Sequence, residues 1–172
     1  MRRDHELIEK TKKTYPKVSI KSSEEFFSWF NSIAPTFILH NIVECKSLKA
    51  CGFLSSKFSI KALSSGFPCF TLYGPGHITN IVITSDGIFE IDFSHLQFVF
   101  PMYGSLREIP MEEKEEYKKM KDLFDELEKD PMKAVKIEKI ENIDPEYLQI
   151  EKSIFAKSIL DLFKQASFLI SQ

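Results

Sequence analysis

A chain of 172 residues with 43% hydrophobic residues, 16 phenylalanines and nearly balanced charge (23 basic, 25 acidic, net -2) has the composition of one globular domain and not of a disordered segment. The charge balance gives no field to attract nucleic acid or anionic lipid, and no apolar run approaches the ~18 to 20 residues that cross a bilayer. Three cysteines, Cys45, Cys51 and Cys69, are odd in number and match no zinc-ligand spacing, so reduced thiols and a cytosol-like compartment are expected. The first residues, MRRDHELIEKTKK, lack the apolar core of a secretory signal; delivery into a target cell by a specialised secretion route leaves no readable mark.

Taken in order, residues 1–16 are mostly charged and suit a short or frayed helix ending at Pro16, and Lys17 to Lys21 alternates as a short strand does. Ser22-Ser23-Glu24-Glu25 has capping-box form and opens a helix to about Ile33, whose Phe26, Phe27, Trp29 and Phe30 are core residues. Pro35 separates this from a second helix. Asn41-Ile42-Val43-Glu44 is again box-like and predicts a helix from Asn41 towards Leu63, although Gly52 leaves a start near Cys51 open. Small residues along it, among them Cys45, Gly52, Ser55 and Ser59, permit close approach to a sheet.

Gly66 ends that helix, and Phe67 to Tyr73 reads as a strand. Ile78 to Ile83 and Ile88 to Phe93 form a hairpin across Thr84-Ser85-Asp86-Gly87, with a further strand expected from Phe98 to Tyr103. Met111 to Lys129 has the three-and-four apolar spacing of an amphipathic helix, Val135 to Ile140 suits an edge strand, and Asp144-Pro145 starts a last helix to about Ile170. The fold class expected is therefore α+β, an antiparallel sheet packed against a cysteine-bearing helix, with flanking N- and C-terminal helices in one domain, 1–172.

Chemistry concentrates at the hairpin. With a four-residue loop and Ile83 opposite Ile88, His77 lies opposite Ser94 and Asp92 opposite Thr79, diagonal neighbours on one face within hydrogen-bond reach of each other. His95 falls on the other face, while His5 and His40 have no comparable carboxylate and read as structural or solvated. A carboxylate on one imidazole nitrogen leaves the other to take a proton from a nucleophile, and a thiol at a helix start that packs on the sheet would complete the set. Cys69, inside an apolar strand, reads as core.

The order of parts resembles the papain-like superfamily, including transglutaminase-like hydrolases, arylamine N-acetyltransferases and papain-fold bacterial toxins and effectors. The likeness covers about residues 41–98. It rests on Cys51 with Leu54, Ser55 and then Gly66-Phe67, on His77-Ile-Thr-Asn80, and on Ile91-Asp92-Phe93-Ser94 with Gln97-Phe98. The resemblance implies Cys51 as nucleophile, His77 as general base and Asp92 as its orienting acid, with a protein or peptide substrate and no metal or cofactor. Lys49-Ala50 stands where the family has small residues, and Gly52 where it often has an aromatic, so Cys45, nearer the Asn41 cap, is the alternative nucleophile. Asn80, Ser94 and Gln97 are candidate site-lining residues, with Asn41 and Asn80 the polar candidates for an oxyanion hole. The competing expectation is an inactive relative or a protein-interaction module with a phenylalanine core.

Overall fold

The computed structural model describes residues 20–74 and 76–141, together with Glu9. The expected helices at 1–16 and 144–170, and all but the end of the strand from Lys17, lie outside the described residues.

Helix α1 spans Ser23–Ile38 and begins as its sequence dictates. The Ser22 hydroxyl accepts from the Glu25 amide, and the Glu25 carboxylate accepts from the Ser22 amide, so two otherwise orphaned donors are satisfied. Contrary to expectation, Pro35 does not end this helix but sits inside it. A proline in a helix interior costs about 3 kcal/mol. Beyond it Phe37, Ile38, Ile42 and Val43 are all buried, at a gain of roughly 1.5 to 3 kcal/mol per large side chain, so burial outweighs the lost bond. The chain then widens into a π-helical turn, Leu39–Val43, with the Glu44 amide reaching the Leu39 carbonyl at 2.9 Å. Asn41 is thus inside a continuous helical run and caps nothing, and the second helix, α2, spans Cys51–Ser64.

Strands β1 (Cys69–Gly74), β2 (His77–Ile83), β3 (Ile88–Asp92) and β4 (Lys136–Lys139) form one antiparallel sheet in that order. Ile83 pairs with Ile88, which is the register expected of the four-residue loop. That loop is closed by the Thr84 amide and hydroxyl, both donating to the Gly87 carbonyl, at 2.9 and 2.7 Å. Its Asp86 carboxylate accepts from the Ser23 amide and hydroxyl, at 2.7 and 2.6 Å, tying the hairpin tip to the start of α1; these bonds hold the carboxyl below its ordinary range. Helix α3, Lys114–Lys129, buries Met120, Phe124 and Leu127. No strand forms over 98–103; Pro101 and the turn His95–Phe98 leave that stretch irregular.

The fold is therefore α+β, with the sheet packed against the cysteine-bearing helix and other helices flanking it. The core lies on the α2 side of the sheet, where Phe58 meets Phe93 at 4.9 Å, Phe30 at 5.7 Å, Trp29 at 6.0 Å and Phe37 at 6.2 Å between ring centroids. A smaller cluster, Phe70, Ile81, Ile83 and Ile88, is buried on the opposite face. Among the described residues no helix is long and apolar enough to cross a membrane.

Candidate active site

Strand alternation sorts the site residues. Ile78, Asn80 and Val82 point towards α2, and His77, Thr79, Glu90 and Asp92 belong to the other face. The Asn80 amide, fully buried, donates to the Ser55 carbonyl at 3.0 Å and the Ser59 hydroxyl at 2.8 Å, clamping helix to sheet. Asn80 therefore holds the scaffold together and does not line the site. Asn41 is likewise committed, donating to the Phe37 carbonyl and accepting from the Lys57 ammonium at 2.8 Å.

His77 and Asp92 meet as the register requires. Imidazole Nε2 lies 2.7 Å from Asp92 Oδ2, with the two side chains 17% and 13% exposed. Asp92 Oδ1 accepts from the Ser94 amide at 2.8 Å, so the carboxylate is fixed by backbone before it meets the ring. Gln97 Nε2 stands 2.5 Å from His77 Nδ1. In this orientation the carboxamide N–H faces Nδ1 and the Asp92 carboxylate faces Nε2, an arrangement that suits the tautomer protonated on Nε2. Phe98 lies edge-on to the imidazole, 5.0 Å between centroids, and is itself 61% exposed. The sequence names Phe98 as the end of the resemblance and the start of a strand; the structure instead ends a 3₁₀ turn with it, beside the imidazole.

Cys51 is half-buried and is the first residue of α2. The first intrahelical bond runs from the Leu54 amide to the Ala50 carbonyl, so the amides before it point out of the helix start without intrahelical partners. Helix α2 reaches the beginning of β2: a Cβ at Gly52 would touch the Ile78 side chain at 3.4 Å, and the Ser55 hydroxyl donates to the Ile78 carbonyl at 3.1 Å. Cys51 and His77 thus lie at the same end of the sheet, with α2 packed on one face and the His77–Asp92 pair belonging to the other. No hydrogen bond among the described residues joins Cys51 to His77. The residues before Cys51 are pinned by the loop after Phe98, with the Leu48 amide on the Gly104 carbonyl at 2.7 Å and the Lys49 ammonium on the Pro101 carbonyl at 3.0 Å.

The other candidates fare differently. Cys45 is exposed, donates its thiol to the His40 carbonyl, and stands in the turn after the π-helical segment, not at a helix start. The premise that favoured it, the Asn41 cap, is absent. His40 does have a carboxylate, Glu44, at 2.8 Å, but both are solvent-exposed. The His95 Nδ1 is buried without a hydrogen-bond partner among the described residues. Among the described residues no group of three or more His, Cys, Asp or Glu side chains is gathered as metal ligands are. No protein-family model, curated protein or solved structure matches this chain.

Cys69 is fully buried against Ser59 and Asn80, and burial pushes its thiol up to about 12 despite those hydrogen bonds. The unfolded thiol ionises near its ordinary 9.0 while the folded one does not. The folded state then holds the extra proton, so the stabilisation is complete below pH 9 and is lost as pH rises towards 12. The expected slope is about 1.4 kcal/mol per pH unit in that window, and it should be missing from Cys69→Ala in urea melts at pH 8 and 10.5.

Proposed function

We propose that this chain is a cysteine-dependent hydrolase or acyltransferase working through an acyl-enzyme intermediate. The supporting observation is the His77–Asp92 hydrogen bond at the end of the sheet where α2 opens with Cys51. In this reading the Cys51 thiol passes its proton to His77 and the sulfur attacks an acyl carbonyl. The oxyanion faces the amides at the start of α2 that have no intrahelical partner. His77 returns the proton to the departing amine, alcohol or thiol, leaving a thioester that water or a second nucleophile resolves. Asp92 steadies the imidazolium. A protein or peptide substrate, as for an effector or toxin acting within a cell, belongs to the same reading.

A second reading, an inactive relative or interaction module, draws on one observation: both His77 nitrogens are taken and neither meets a thiol. p-Nitrophenyl acetate separates the two. The enzyme reading expects a burst of p-nitrophenolate, stoichiometric with protein, and an acetyl group on the Cys51 peptide by mass spectrometry. Slow acetylation of the exposed Cys45 alone would leave the interaction module.

A further inference from the structure

We infer that Gln97 is an internal latch on His77, capping Nδ1, the ring nitrogen that would have to receive the Cys51 thiol proton. The inference rests on the enzyme reading above and adds its regulation. Three observations carry it. The carboxamide is bound to the one ring nitrogen that Asp92 leaves available for a thiol proton. Gln97 is itself buried, so water does not compete easily for the contact. Gln97 and Phe98 share a single 3₁₀ turn, His95–Phe98, so one short element supplies both the amide on the ring nitrogen and the ring over the imidazole edge.

The turn has one anchored and one open side. Its backbone bonds are local, Gln97 to Ser94 and Val99 to Leu96; Leu96 packs against the core, while Phe98 and Val99 are largely exposed. A small rotation of the turn withdraws the carboxamide without disturbing β3, because Asp92 keeps its own bond to the Ser94 amide. The same loop continues to Pro101 and Gly104, whose carbonyls accept from the Lys49 ammonium and the Leu48 amide before Cys51, so the turn is linked through one loop to both partners. In the latched state Nδ1 is already occupied by the carboxamide. The open state presents that nitrogen to the thiol.

The test is the rate at which iodoacetamide alkylates Cys51, followed by peptide mapping. Gln97→Ala and the near-isosteric Gln97→Met, which retains volume should the alanine variant fail to fold, are expected to raise that rate about three- to tenfold, the ratio for one net hydrogen bond. Adding His77→Ala should remove the gain. In parallel, ¹⁵N-histidine correlation spectra should show His77 protonated on Nε2 alone in the parent chain and in exchange between tautomers in Gln97→Met. An unchanged or lower Cys51 rate in both Gln97 variants, or a doubly protonated His77 in the parent, overturns the latch. If His77→Ala still slows Cys51 in that event, the enzyme reading survives the latch; if Cys51 ignores both residues, the two fall together.

Discussion

His77→Ala is expected to slow acetylation of Cys51 by p-nitrophenyl acetate about 10² to 10⁴-fold, the usual contribution of a positioned general base. Asp92→Asn should approach the same loss by a different route. The carboxylate stands 2.7 Å from Nε2 and favours a proton there, whereas an asparagine amide turned to the ring donates, which favours the proton on Nδ1. There it meets the Gln97 amide, a second donor at 2.5 Å, so the ring is opposed on both sides. Stopped-flow release of p-nitrophenolate gives the rate, and urea melts of both variants give the control. A variant that keeps its melting behaviour and loses acetylation identifies a chemical role. If both keep acetylation near the parent rate, the pair is a structural hydrogen bond and the thiol does not depend on it.

The second large effect lies in the core. Phe58→Ala should cost about 3 to 5 kcal/mol, as expected for emptying a fully buried aromatic site. Phe58 comes from α2 and touches rings from α1 and from the end of β3, so its loss loosens three elements together. Against a typical total of about 5 to 15 kcal/mol, that removes a large share of the stability. Urea unfolding is the measurement: a lower midpoint with an unchanged slope is expected, and a shift below about 1 kcal/mol would mean that the cluster repacks to fill the space.

The hairpin was legible because its determinants are local. Turn residues at 84–87 set the loop length, loop length set the register, and the register brought His77 to Asp92. The capping box at Ser22 and the amphipathic spacing of α3 were legible for the same reason. What misled was punctuation decided at a distance. Pro35 reads as a stop, but the buried residues beyond it, packed by other elements, carry the helix through. Asn41-Ile42-Val43-Glu44 reads as a start, yet a box is meaningless inside a run already helical. Asn80 shared the hairpin with His77 and so entered the list of site residues. Alternation turns it to α2, and which face α2 covers was not written in the strand itself. Gln97 is legible as a residue near the site, but its contact with Nδ1 depends on a 3₁₀ turn over residues that the sequence leaves unassigned between two expected strands.

Gly104 gives the loop after Phe98 a further significance. A Cβ there would fall 2.7 Å from the Lys49 Cβ, closer than side chains tolerate, so glycine is what lets this stretch lie directly on the backbone that leads into Cys51. Residues 99–103 then connect a turn that lies beside the imidazole to a glycine that lies on Leu48 and Lys49, shortly before Cys51. The separation between His77 and Cys51 is thus measured along the chain as well as across the sheet. Lengthening that connection by a residue would disturb the alignment of the two groups while leaving every strand pairing intact.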